Sequence, residues 1–127
     1  VLLLDSTVLI DYLRGRTVVA RVDGLLSRGK SLATTGINVE EITRGLRPGE
    51  EPAVGSLLDG LRVVPIGRGE GSRAGHWRRE FAAKGVTLGQ ADCLIAAAAV
   101  SIGAPLATGN PRDFPMPDLT VEHWPVG

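Results

Sequence analysis

Short, unbroken apolar runs alternate in this chain with longer stretches whose apolar residues recur at helical spacing. Nothing else narrows the fold as much. Val1 to Leu4 is continuously apolar and brief, which predicts a buried strand. Ser31 to Thr35, Arg62 to Ile66, Leu106 to Thr108 and Leu119 to Glu122 are the other strand candidates. Between them, Thr7 to Leu13, Thr17 to Ser27, a helix led in by Gly36-Ile37-Asn38, the Val54–Leu61 stripe, Gly67 to Lys84 and Gln90 to Ile102 have helical patterns. Asp5 or Ser6 is placed to cap the first helix, and Gly85 and Gly103 are placed to stop the last two. Strands alternating with helices predict an α/β fold: a three-layer α/β/α arrangement around a mainly parallel sheet, joined by right-handed crossovers.

At 127 residues, one domain spanning 1–127 is expected. No apolar run approaches the length of a bilayer span, and the first residues lack the basic region and cleavage site of a signal peptide. The absence of an initial Met places the natural start slightly upstream. Cys93 is the only cysteine, which excludes an internal disulfide framework and a cysteine-based zinc site and suits a reducing, cytoplasmic setting. Formal net charge is zero, unlike a simple basic nucleic-acid binder. If four acids are committed to a site, however, the remaining charges carry an excess of four positives, nearly all arginine, the better bidentate phosphate ligand.

Four acidic positions have surroundings that give them little structural purpose. Asp5 and the Asn110–Asp113 turn follow the carboxyl ends of predicted parallel strands, the edge where open α/β sheets build their sites. Each also has a plain structural reading, Asp5 as a helix N-cap and Asp113 as a turn residue. Asp92 shares a helix side with Ile95, Ala96 and Ala99, in a segment apolar on every side. The helix dipole at a first-turn acid offsets under about 1 kcal/mol, less than the several kcal/mol of desolvation of an unpaired carboxylate. Glu40 and Glu41 flank the apolar face Val39, Ile42 and Leu46 almost symmetrically, so periodicity leaves both open. Gly45, one turn beyond Glu41, leaves room beside it and favours Glu41. If these carboxylates meet, their repulsion requires a divalent cation or shared protons. An all-oxygen ligand set suits Mg²⁺ or Mn²⁺, the equipment of phosphodiester hydrolysis. Arg112, Arg44 and Arg47 are the nearest arginines and candidates to guide a nucleic-acid backbone, Arg112 and Arg44 foremost.

Four fragments in order, Leu-Asp-Ser-Thr-Val-Leu-Ile-Asp-Tyr-Leu from Leu4, Glu-Ile-Thr-Arg-Gly from Glu41, Asp-Cys-Leu-Ile-Ala-Ala from Asp92 and Leu-Ala-Thr-Gly-Asn-Pro-Arg-Asp-Phe from Leu106, resemble PIN-domain ribonucleases. Length and layout look most like the VapC-type toxins of bacterial toxin–antitoxin pairs. The resemblance covers essentially the whole chain. It implies a metal-dependent endoribonuclease with catalytic, metal-binding acids at Asp5, Glu41, Asp92 and Asp113, supported by Thr108 and Asn110. It implies Glu41 over Glu40, and leaves open whether Asn110 or Asp113 supplies the fourth key group. It also implies an RNA substrate, a homodimer, and a VapB-type antitoxin gripped by the helices Val18–Leu26 and Val54–Leu61. Those two apolar stripes serve equally well as plain cover for the sheet.

Other chemistries fit less well. His76 and His123 lack metal-ligand spacing, and Gly67-Arg68-Gly69-Glu70-Gly71 has the wrong spacing for a phosphate loop. Trp77, Trp124 and Phe81 are too few for a base-stacking platform and suit packing. A receiver-type phosphoacceptor domain would share the length and sheet. It needs an acceptor Asp after a middle strand and a Lys after a late one, and the chain has neither. A PIN-like domain that binds RNA or a partner without cutting remains compatible with the same acids.

Overall fold

A computed structural model describing residues 1–127 contains five strands and six α-helices. The strands are β1 (Leu2–Leu4), β2 (Leu32–Thr35), β3 (Arg62–Val64), β4 (Leu106–Thr108) and β5 (Val121–His123). They form one sheet in the order β3-β2-β1-β4-β5, and every pairing is parallel. The chain builds outward from β1 to β3, then returns to place β4 on the other side of β1. The crevice at the carboxyl ends of β1 and β4 is therefore the topological switch point, the usual ligand site of such sheets.

Alternation along the strands divides the core in two. Leu3, Ala33 and Leu106 face one side, with Trp77 of α5 (Arg68–Ala82) and the Cys93, Ile95 to Ala99 run of α6 (Gln90–Ser101). Leu4, Leu32 and Ala107 face the other, with α1 (Ser6–Leu13), α2 (Val19–Ser27) and α4 (Glu51–Asp59); Ile42 of α3 (Gly36–Arg44) joins them. This is the expected three-layer α/β/α arrangement. Ala96 to Ala99 have no exposure at all, and their small side chains let α6 lie close to the sheet under α5. Both tryptophans are buried, Trp77 in one core and Trp124 in the other. No helix is long and apolar enough to cross a membrane.

Element boundaries move for identifiable reasons. β3 stops at Val64 because Pro65 has no N–H to continue the ladder. β5 begins at Val121 rather than Leu119: Leu119 is held in a turn by its N–H to the Met116 carbonyl and packs on the core from there. Helix α2 begins two residues later than its apolar pattern, because the Val18 N–H is taken by the Asp11 carboxylate at 3.0 Å. Gly85 and Gly103 end α5 and α6 at φ of 80° and 64°, a conformation that residues with a Cβ resist.

Asp11 was not legible as a buried residue. It is 3% exposed, yet its two oxygens accept the N–H groups of Val18 and Gly127, tying the α1–α2 turn to the last residues.

The apolar stripes of α2 and α4 serve chiefly as core. Val22 has no exposure, and Val54 and Leu57 are buried with it; Leu25, Leu26 and Leu58 remain half-buried on the outer side. Val22→Asp should therefore cost several kcal/mol and abolish folding, since a carboxylate there has no partner. Leu58→Asp should cost about 1 kcal/mol or less and leave the protein folded. Urea denaturation of the two variants distinguishes these outcomes.

Candidate active site

Asp5 sits immediately past β1 and is 4% exposed. Its Oδ1 accepts the Val8 N–H at 3.2 Å, which caps α1, and the Thr7 hydroxyl at 2.6 Å. The Thr108 hydroxyl, at the end of β4, stands close enough to this carboxylate to lower its pKa. Thr7 in turn accepts the Gly109 N–H at 2.8 Å, and Thr108 Oγ1 accepts the Asn110 N–H at 3.0 Å. Two neighbouring strand ends are thus stitched together around one acid. The capping reading of Asp5 is met, and it is compatible with a place in a site at this strand end. Burial still wins over these bonds and raises the Asp5 pKa above its ordinary value.

Glu41 and Glu40 diverge. The Ser6 hydroxyl donates to Glu41 Oε1 at 2.8 Å, drawing Glu41 towards the start of α1 beside Asp5. Glu40 is exposed and pairs with Arg44 one turn on, at 3.0 Å. Gly45 is the C-cap of α3, with only carbonyls of its own helix near the place of a Cβ. Ser6, not space at Gly45, is what turns Glu41 inward. Arg44, proposed from sequence as a phosphate guide, is turned to Glu40. Arg112 is exposed and makes no ion pair.

Asp92 lies in the first turn of α6, its carboxylate folded back towards Gly89; a Cβ on that glycine would stand 3.2 Å from Oδ2. Its pKa is pushed up from 3.8 to about 6, first by burial, then by the charges of Asp113, Glu41 and Asp5. Those contributions show that the four acids share one region. Asp113 is exposed, in the short 3₁₀ turn Pro111–Asp113, and its Oδ2 accepts from Asn110 Nδ2 at 2.8 Å. The structure therefore joins Asn110 and Asp113 as one unit.

None of the four acids is in an ion pair, although the chain has 14 lysines and arginines. No three His, Cys, Asp or Glu side chains stand close enough together to hold one ion as placed. The donor chemistry fits a hard cation: oxygen ligands only, strong negative charge, and no basic side chain in competition.

Ser6, Thr7, Thr35 and Asn38 are the site residues that sequence reasoning did not single out. Thr35 and Asn38 carried a readable signal, a helix-capping pair three residues apart whose side chains bond reciprocally. Nothing in the sequence shows that Asn38 also reaches across to Ser6.

The PIN-domain family profile matches residues 2–116. The chain belongs to the PIN-domain family. Among PIN-domain relatives, Ribonuclease VapC10 of Mycobacterium tuberculosis is 39% identical over 117 residues, covering 91% of this chain and 86% of that protein. Ribonuclease VapC19 of the same organism is 29% identical over 119 residues, covering 92% and 95%. The fold is also that of solved VapBC structures. The DNA-bound VapBC2 complex of Rickettsia felis matches with a TM-score of 0.84 at 22% identity, covering 96% of this chain and 97% of that one. VapBC-1 of nontypeable Haemophilus influenzae matches at 0.80 and 25% identity, covering 96% of each chain.

The Asp92 shift has a testable sign. Below about pH 4 the side chain is neutral folded or unfolded, and Asp92→Asn should match the parent PIN domain in stability. Above about pH 6 the folded parent holds a charge among like charges, so the variant should be more stable in EDTA. The gain should be on the order of 1 kcal/mol, less than the full shift implies, because Asp92 keeps contact with solvent and its screening. Denaturant midpoints across that pH range give the answer; a less stable variant at pH 7.5 would mark Asp92 as structural.

Proposed function

We propose that this PIN domain is a metal-dependent endoribonuclease and the toxin of a type II toxin–antitoxin pair. The observation that supports this reading is that Asp113, Glu41 and Asp5 all act electrostatically on Asp92, and none of the four has a basic partner. The names of the VapC relatives support the substrate class. In this reading Asp5 and Asp92 hold Mg²⁺ or Mn²⁺, with Glu41 and Asp113 completing the set. The bound cation supplies Lewis-acid stabilisation of charge on the phosphate and leaving oxygens.

The protein groups divide the remaining work. Asp5 is locked by the Thr7 hydroxyl and the Val8 N–H, so it cannot swing away from its neighbours. Glu41 or Asp113 can orient or deprotonate the attacking water. Thr108 is wholly buried, with its oxygen taken by the Asn110 N–H, which makes it a support of the Asp5 surroundings rather than a phosphate contact. Asn110 and Arg112 are exposed beside these acids and placed to meet the substrate backbone. The antitoxin partner fits the outer, half-buried leucines Leu25, Leu26 and Leu58, and the VapBC complexes among the structural neighbours support it.

Purified protein should cut RNA with Mg²⁺ or Mn²⁺ and stop in excess EDTA; undiminished cleavage in EDTA would sink the metal mechanism. Mapping the cut ends in cells expressing the chain without its neighbouring gene identifies the substrate.

The two glutamates separate cleanly. Glu41→Gln should lower the cleavage rate by orders of magnitude with little change in folding. Glu40→Gln removes only an exposed i,i+4 pair worth a few tenths of a kcal/mol, so its rate should change by no more than about twofold. A dead Glu40 variant beside an active Glu41 variant would reverse the assignment.

A further inference from the structure

Thr35, Asn38, Ser6 and Glu41 form a chain of side-chain hydrogen bonds in which each group donates to the next. The Thr35 hydroxyl donates to Asn38 Oδ1 at 2.7 Å, Asn38 Nδ2 to Ser6 Oγ at 3.0 Å, and the Ser6 hydroxyl to Glu41 Oε1 at 2.8 Å. Asn38 Oδ1 also accepts the Thr35 N–H at 3.3 Å. Thr35 and Asn38 have no exposure, so water is not available to replace a lost bond.

The direction of the chain is forced. Reversing the Asn38 amide would set its NH₂ against the Thr35 N–H, two donors with no acceptor between them. Nδ2 must therefore face Ser6. With the amide donating to its oxygen, the single Ser6 proton is directed to Glu41. The side chain of Glu41 is long, half-exposed and repelled by Asp92, so without a fixed donor it would turn to water.

We infer that Asn38 is a positioning residue for Glu41, acting through Ser6 to pin one carboxylate oxygen and present the other to the cation. This rests on the reading that Glu41 faces a divalent cation. Outer-shell partners that orient a ligating carboxylate typically change metal affinity 10–100-fold when removed.

Mn²⁺ alone is the probe, titrated calorimetrically into the full chain, with melting curves recorded for each variant. Ser6→Ala should weaken Mn²⁺ binding by about tenfold, whereas Ser6→Thr, which keeps the hydroxyl, should stay within about twofold of the parent. Asn38→Asp is isosteric but places an acceptor where Nδ2 was, so Ser6 would donate to the new carboxylate instead of to Glu41. Its added charge acts on the cation whether or not Ser6 has a hydroxyl. Comparing Asn38→Asp in the parent and in Ser6→Ala therefore cancels that charge and isolates the relay. The two fold-changes should differ by about threefold or more. Equal fold-changes, or parent-like affinity in Ser6→Ala, would overturn the inference while leaving the metal site standing. Absence of Mn²⁺ binding by the parent, with Asp92→Asn indistinguishable from it, would instead overturn the metal reading and the relay with it. If Asn38→Asp does not fold, the Ser6→Ala and Ser6→Thr pair decides alone: equal losses in both would defeat the relay.

Discussion

Burial of carboxylates at the carboxyl edge of the sheet, with like charges added around Asp92, is the constraint around which this structure is arranged. Asp92 shows it most visibly, its pKa raised to about 6 by burial and by Asp113, Glu41 and Asp5. Asp5 is more deeply buried, and the hydrogen bonds it accepts still leave its pKa raised. A fold optimised for stability alone would not place these groups together without a lysine or arginine among them. The conflict between local stability and arrangement is what marks a working site.

The parallel sheet supplies part of the compensation. α1 and α3 follow directly on β1 and β2, so their N-termini face the edge where those strands end. α6 runs back before β4 and also begins at that edge, with Asp92 in its first turn. Three helix N-termini, each carrying partial positive charge, thus converge on the acids. Each such interaction is worth typically about 0.3–1 kcal/mol, less than the several kcal/mol that burying one charge costs. Helix dipoles reduce the repulsion without removing it, and in the function proposed a cation offsets the rest.

Much of the fold was legible because it rests on local patterns. Val1-Leu2-Leu3-Leu4, the alanine-rich α6 and the glycine stops each carry their structural meaning within a few residues. Boundaries failed where a distant group intervened, as with Asp11 taking the Val18 N–H. The PIN-domain resemblance rested on four ordered fragments, and the family match spans them. The candidate site was only partly legible. Acids in apolar surroundings stand out because charge and burial conflict, which exposed Asp5 and Asp92. Asn38, Ser6 and Thr7 do not stand out, since small polar residues near helix starts are ordinary caps. Their part in the site depends on contacts across 32 to 102 positions of chain. Glu41 illustrates the limit: helical periodicity left it level with Glu40, and a residue 35 positions away turned it inward.

The supporting network also explains why site and fold are hard to separate in this chain. Asp5 caps α1 with the same oxygen that receives the Thr7 hydroxyl, and Thr7 receives the N–H of Gly109 beyond β4. Gly109 is closely packed: a Cβ there would come within 2.8 Å of the Val126 side chain and 3.2 Å of the Thr7 hydroxyl, so Val126 would have to shift. Val126 is followed by Gly127, whose N–H is held by Asp11. A line of contact therefore runs from the last residues through Gly109 and Thr7 to the acid at the centre of the site. Asp11, with no charge directed at the site, fixes one end of that line from within the core. Precision at the acids is obtained from backbone N–H groups and small hydroxyls on rigid strand ends, which leaves the charged side chains free of basic partners.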